Sequence, residues 1–323
     1  MPEPVGVREK MNRKFPFPLP FSWYQVAYSD EIGVGELKPI HYFGRELVLF
    51  RDKAGTARVF DAFCPHLGAH IGYGGEVTEQ GLRCPFHHWS FSPEDGHCVD
   101  IPYCKRIPPK AAVEPLPVCE KNGIILAWYH PLGKPPEWEI PDLPEYGDPA
   151  WTEWTRRDWK VKSRNQELAE NTVDAAHFLY VHGTKNIATT DVVESDGYFL
   201  NVICQSRVGT SKGEADGTID INTYGMGFGC TRFKGVVETL VMTSGTPVDD
   251  EYVHMHLSCA LRKLDDESIT SGVGKAFVGE IERQFSQDIP IWENKVHLEK
   301  PVLCDGDGPI GDLRRWASKF YVE

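Results

Sequence analysis

The sequence predicts an α+β chain: an all-β N-terminal domain, then a helix-grip domain in which helices hold an antiparallel sheet. Three observations carry this. Residues up to about 130 read as short β-like runs between turns, residues 191 to 262 as long strands, and residues 273 to 295 as an amphipathic helix. The 30 glycines and 24 prolines in 323 residues exceed the usual share, as a turn-rich chain requires. That length accommodates two domains with separate cores.

In the first part, "ELVLFRD" and "ARVFDAF" are joined by "KAG", and "HWSF" leads to "CVDIPY" through "SPEDG". The proline-rich stretch 131 to 151 reads as a surface linker. A helix follows over 165 to 181, "NQELAENTVDAAHFLYV", stopped near Gly183. In "YVHMHLSCAL", Val253, Met255, Leu257 and Cys259 point one way, and His254, His256, Ser258 and Ala260 the other. The last helix, 273 to 295, carries Phe277, Ile281, Phe285 and Trp292 at helical spacing. The expected organisation is an arm over 1–21, one domain over 22–135 and a second over 136–323.

A net charge of −13 excludes nucleic acid and anionic membrane as expected partners, because both need a positive surface. The first residues, "MPEPVGVREKMNRKFPFPLPFSWY", lack an apolar signal core, and the most apolar run, "GIILAWY", is too short to span a membrane. The expectation is a soluble, cytoplasmic protein. Nine cysteines, an odd number without a signal peptide, favour reduced thiols and metal sites over a disulfide scaffold.

Two of those cysteines fall in "CPHLGAH" and "CPFHHWSF". Cys64-x-His66, seventeen residues, then Cys84-x2-His87 supplies two thiolates and two imidazoles on proline-stiffened turns. That is the donor set of a Rieske [2Fe–2S] centre, with thiolates on one iron and imidazoles on the other. The spacing selects His87 over His88. The alternative is a structural zinc on the same four residues, against which the cramped C-x-H spacing argues. His70 and His97 fit no ligand spacing and read as loop or surface. The other seven cysteines are scattered.

A second constellation lies on the 165 to 181 helix, where Asn171, Asp174 and His177 share one face and His182 follows five residues on. A straight helix separates residues five apart by about 140°. The helix must therefore end or distort for the two imidazoles to converge. Two histidines and one carboxylate make the facial triad of non-haem Fe(II) oxygenases. Asp288 is the candidate carboxylate, because it stands on the apolar stripe of the last helix, where an unpaired charge is costly. The alternative is a solvent-facing acid beside Pro290. Asp174, three residues before His177, suits an outer acceptor for that imidazole's free N–H. Tyr180, Trp89 and the His254/His256 face are weaker candidates for lining a pocket.

C-x-H-x17-C-x2-H followed by N-x-x-D-x-x-H-x4-H resembles the oxygenase component of Rieske non-haem iron oxygenases. "IPYCKRIPP", "IPDLPEYGDPAWTEW", "QDIPIWENKVHLEKPVL" and "DLRRWASKFYV" look like 3-ketosteroid 9α-hydroxylase oxygenases and their sterol-desaturase relatives. The resemblance runs through about 22 to 185 and 275 to 323, and His88 stands where the family more often has Gly or Asp.

The resemblance implies a Rieske domain followed by a START-like helix-grip domain with a catalytic iron. Cys64, His66, Cys84 and His87 would hold the cluster, and His177, His182 and Asp288 a mononuclear Fe(II). Asn171 and Asp174 would be catalytic, Asp174 bridging a Rieske histidine of one subunit to an iron-ligating histidine of the next in a homotrimer. The implied activity is O2-dependent hydroxylation of a bulky, apolar, steroid-like polycyclic substrate. The chain has no nicotinamide or flavin fingerprint, so electrons would come from a separate NAD(P)H-dependent flavin or iron–sulfur reductase. A sterol desaturase or aromatic-ring oxygenase would share this chemistry. The rivals from other classes are a Rieske electron carrier with a lipid-binding domain and a colourless, zinc-stabilised binding module.

Overall fold

The computed structural model describes residues 15–184, 189–210, 213–235 and 237–322. Its contacts group into two compact units. One comprises Phe21–Tyr146 with Thr246–Asp249; the other comprises Gly147–Gly245, Asp250 onward and the described residues up to Pro20.

The first unit is all β. Its strands are β1 (Ser22–Tyr28), β2 (Leu37–Tyr42), β3 (Arg45–Arg51), β4 (Ala57–Asp61), β5 (Glu76–Thr78), β6 (Gly81–Arg83), β7 (Ser90–Phe91), β8 (Cys98–Asp100), β9 (Pro115–Leu116), β10 (Val118–Lys121) and β11 (Ile124–Tyr129). They form three sheets, ordered β1-β11-β10, β2-β3-β4-β9 and β5-β6-β7-β8. Leu47 to Phe50 are fully buried along β3, so both faces of that strand are covered. Val48, Phe50, Phe60, Ile71, Leu82 and Phe91 make one core on which Cys64 and Cys84 sit.

The stretch 131 to 146 is not the surface linker its prolines suggest. Trp138, Ile140 and Leu143 are buried, the Trp23 indole donates to the Trp138 carbonyl at 2.8 Å, and Asn122 bonds both Pro141 O and Leu143 N. Apolar residues interleaved with prolines fold back here as an extended strap.

In the second unit β12 (Thr155–Val161) leads into helix α1 (Asn165–Ala169), a 3-10 turn at Glu170–Thr172, and helix α2 (Ala175–Tyr180). Next come β13 (Thr189–Asp196), β14 (Phe199–Thr210), β15 (Gly213–Tyr224), β16 (Phe228–Lys234), β17 (Thr239–Pro247) and β18 (Val253–Leu261). Helices α3 (Glu267–Asn294) and α4 (Ile310–Ala317) close the chain. The strands form one antiparallel seven-stranded sheet, β12-β18-β17-β16-β15-β14-β13.

Helix α3 grips this sheet. Val253, Met255, Leu257 and Cys259 all face it, as their alternation requires, and pack with Phe277, Ile281, Phe285 and Trp292. Phe285 stacks on Trp159 of β12 at 4.7 Å. The helix starts six residues earlier than its apolar stripe suggests, because the Asp266 side chain caps Ser268 N and Ile269 N. It is not the last helix, since α4 follows and buries Leu313 and Trp316.

Candidate metal centres

The two Cys/His loops of the first unit have the same backbone. Cys64 N donates to Ala69 O and Cys84 N to Trp89 O, both at 2.9 Å, and each cysteine carbonyl accepts from the residue four further on, Gly68 or His88. Each loop closes a hairpin, through the Phe63–His70 bridge and the β6–β7 pairing. Gly68 and His88 occupy the matching left-handed position, with φ of 75° and 59°. That explains why a glycine suits the second loop and why His88 is turned out to solvent.

The four expected ligands converge. The imidazoles of His66 and His87 lie 4.7 Å apart, and His66 stacks on Trp89 at 4.6 Å and 10°. Burial pushes the Cys64 thiol up to about 12; the His66 N–H opposes this and the neighbouring Cys84 sulfur adds to it. His87 Nδ1 is buried with no hydrogen-bond partner among the described residues. Two adjacent buried sulfurs and an orphaned imidazole nitrogen fit a metal cluster, which removes the thiol protons and occupies the nitrogen lone pair.

The single helix expected over 165 to 181 is broken, because Asp174 leaves the helical region (φ −88°, ψ 90°) and caps α2. Its Oδ1 accepts from Ala176 N at 3.1 Å and His177 N at 3.3 Å. The carboxylate therefore does not take the His177 ring proton. The Asp174 main-chain carbonyl does, in a short contact with Nδ1, which leaves His177 Nε2 as the nitrogen that could face a metal. At the other end of α2 the turn widens: His177 O accepts from both Val181 and His182, and Gly183 (φ 72°) ends the helix by bonding Leu179 O. This widening overcomes the five-residue spacing and brings His182 round to His177.

His177, His182 and Asp288 offer ligand atoms within 4.8 Å of one another. His182 Nε2 and Asp288 Oδ2 are 3.3 Å apart, and both residues are buried, at 5% and 7% exposure. Burial raises the Asp288 carboxyl above its usual value, against the pull of the two imidazoles. A divalent cation reverses that penalty, so the donor set suits iron better than an empty pocket.

The triad stands in the wall of a cavity of about 250 Å³, whose other surfaces are mostly apolar, from Leu168, Met226, Phe233, Val241, Met255 and Phe285. Asn171 is also on this wall, its Oδ1 accepting from the Trp292 indole at 3.2 Å. Tyr180, Trp89 and His254/His256 do not line it; Tyr180 is 78% exposed.

Two features escaped the sequence reading. Gln287 Oε1 lies 3.1 Å from His182 Nδ1 and accepts from Arg283 at 2.9 Å. Behind α1, Glu167 and Glu170 pair with Lys295, His297 and Arg314. Glu167, Glu170 and His297 could also group around a cation, but the lysine and arginine already neutralise them. Four-residue spacing between Arg283 and Gln287 was the only sequence signal for the first; the second has none.

The fold has known counterparts. It matches dicamba monooxygenase bound to dicamba with a TM-score of 0.73 at 20% identity, covering 95% of this chain and 98% of that one. It matches NdmA of Pseudomonas putida CBB5 with caffeine with a TM-score of 0.74 at 18% identity, covering 92% and 89%. Residues 22–117 match the Rieske [2Fe-2S] domain, and residues 127–321 the 3-Ketosteroid 9alpha-hydroxylase C-terminal domain, including the strands where motif resemblance was thin.

A 3-ketosteroid-9-alpha-monooxygenase oxygenase component of Rhodococcus rhodochrous is 31% identical over 336 residues, covering 99% of this chain and 85% of that protein. Cholesterol 7-desaturase nvd 1 of Ciona intestinalis is also 31% identical, covering 99% of this chain and 72% of its own. Both donor sets on this fold define a Rieske non-haem iron oxygenase, with a Rieske cluster and a mononuclear iron as cofactors. Within that class the chain belongs to the family of the 3-ketosteroid 9α-hydroxylase C-terminal domain. No helix among the described residues is long and apolar enough to cross a membrane.

Proposed function

We propose that this protein is the terminal oxygenase component of a multicomponent monooxygenase, hydroxylating a neutral, bulky, steroid-like substrate with O2. Electrons come from a separate NAD(P)H-dependent reductase, in keeping with the "oxygenase component" names of its relatives. One observation carries the reading: two histidines and a buried carboxylate converge on the wall of an apolar cavity, in a chain that also carries the paired Cys/His hairpins.

In this reading Cys64 and Cys84 hold one iron of the cluster, His66 and His87 the other, and His177, His182 and Asp288 the mononuclear iron. When bound, the cluster delivers single electrons and the iron supplies open positions for O2. The chain's own groups do the rest. The Asp174 carbonyl and Gln287 fix the ring protons of His177 and His182 on Nδ1, so both Nε2 lone pairs face the metal. Asn171 ties the α1 segment to α3 through Trp292. The apolar walls exclude water and orient a hydrocarbon skeleton. The Asp174 carboxylate has a second lone-pair-bearing oxygen beyond the one that caps α2, suited to bridging to a neighbouring subunit's cluster histidine. A head-to-tail ring of three closes such contacts on themselves. Free thiols throughout the described cysteines suit a cytoplasmic location.

A pure electron carrier is not favoured, because the relatives are monooxygenases and desaturases. The test is substrate-triggered O2 uptake by the reduced protein, comparing 3-ketosteroids with other polycyclic and aromatic compounds. A hydroxylated 3-ketosteroid product supports the reading. An exclusively desaturated product moves it to the desaturase branch, and uptake only with monocyclic aromatics contradicts the substrate class.

A further inference from the structure

We propose that the floor of the cavity contains a subsite for one neutral oxygen of the substrate, a ring ketone or hydroxyl, built by Thr223, Thr231 and Thr243 around Gly229. The inference rests on the substrate reading above and deepens it. Thr223 pairs with Gly229 and Gly229 with Thr243, so the three stand abreast on β15, β16 and β17 and face the same side. Thr231 is two residues beyond Gly229 and shares its face. All four line the cavity.

Gly229 is unusual in a strand interior. Its φ is not among the positive ones, so its own conformation does not demand glycine, although a Cβ there would lie 3.2 Å from Asn222 O of the neighbouring strand. Glycine inside a strand leaves room for the close approach of another backbone or of a ligand, and here it opens a notch towards the cavity. A Cβ built on it would lie 3.5 Å from Thr243 Oγ1 and 3.7 Å from Thr223 Oγ1, so both hydroxyls border the same notch.

The remaining polar groups of the wall are engaged. Asn165 donates to Met226 O and Gly245 O, Thr172 to Ala169 O, Ser244 to Gly227 O and Gln284 to Glu280. The hydroxyls of Thr223, Thr231 and Thr243 have no protein partner among the described residues. The three residues are half-buried, and their hydroxyls are open to a partner from the ligand or from water. No lysine or arginine among the described residues lines the cavity, and the three hydroxyls suit an uncharged oxygen such as a ketone or hydroxyl.

The test is anaerobic binding to the iron-loaded protein, read by quenching of tryptophan fluorescence, with 5α-androstane-3,17-dione, 5α-androstan-3-one and 5α-androstan-17-one. The wild type should lose about five- to tenfold in affinity when one of the two ketones is removed. The Thr223→Val/Thr243→Val double variant should bind the dione and that mono-ketone equally, with iron content and melting temperature unchanged. Gly229→Ala, which fills the notch, should weaken the dione more than that mono-ketone. If the wild type binds all three equally, or the double variant weakens all three alike, the subsite is overturned while the substrate reading stands. If the wild type binds none of them, both fall.

Discussion

His182 Nδ1 lies 3.1 Å from Gln287 Oε1, and the same oxygen accepts from Arg283, whose other nitrogen reaches the His182 carbonyl at 2.9 Å. The residue next to Asp288 thus orients the imidazole proposed to share a metal with it. Gln287→Leu should lower iron affinity about ten- to a hundredfold while the visible spectrum of the cluster stays unchanged. Gln287→Glu, which keeps the acceptor, should retain the iron. Competition with a chelator measures both, and equal affinity in the leucine variant would remove Gln287 from the account.

His88 bears a left-handed φ that Gly68 adopts without strain in the twin loop. His88→Gly should therefore stabilise the protein by up to about 1 kcal/mol and leave the EPR signal of the cluster unmoved. His87→Gly should abolish that signal. Loss of the signal in the His88 variant instead would reverse the ligand assignment.

Asp174 has two separable roles in the structure, a capping carboxylate and a carbonyl that orients His177. Asp174→Asn keeps both the cap and the carbonyl but removes the charge. It should leave cluster and iron in place and stop substrate-coupled turnover. Asp174→Ala should add about 1 kcal/mol of destabilisation from the lost cap. Metal analysis beside O2 uptake distinguishes these; iron loss in the asparagine variant would make Asp174 a structural support, not a bridge.

The cluster behind α1 sets a pH window. Burial raises the Glu167 carboxyl, but the His297 hydrogen bond and Lys295 outweigh it and hold it below the usual 4.5. Burial lowers Lys295, yet Glu167 and Glu170 outweigh that and hold it above 10.5. The stability from Glu167 is present above pH 4.5 and lost as pH falls through the depressed value; that from Lys295 is present below 10.5 and lost as pH rises through the raised one. Glu167→Gln should cost about 3 kcal/mol at pH 7 and flatten the acid side of the profile. Melting temperature between pH 3 and 8 checks it, and an unchanged acid slope would contradict the pairing.

Local spacing made both candidate metal sites legible. Cys64-x-His66 and Cys84-x2-His87 are each set within one turn, and Asp288 betrayed itself as a charge on an apolar stripe. Three other features do not show in the local pattern. Asp174 shares the three-residue rhythm of Asn171 and His177, so the rhythm hides that its side chain turns back to cap α2. Strand β12 carries arginine, aspartate and lysine on its open side, and only pairing with β18 makes it a strand. The 131 to 146 strap looks like a linker until Asn122 and Trp23 are seen to hold it. The β6–β7 hairpin and strand β18 needed no such help, because the turn residues and the period-two alternation of apolar side chains lie within the segment itself, even though β18 is buried on both faces.

Replacing Asp288 with Ala and counting metal tests the central claim most directly. The prediction is a fall from about three irons per chain to about two, with the Rieske spectrum intact and substrate-triggered O2 uptake lost. A variant that keeps its third iron and still turns over substrate would contradict the assignment of His177, His182 and Asp288 as the oxygen-activating site.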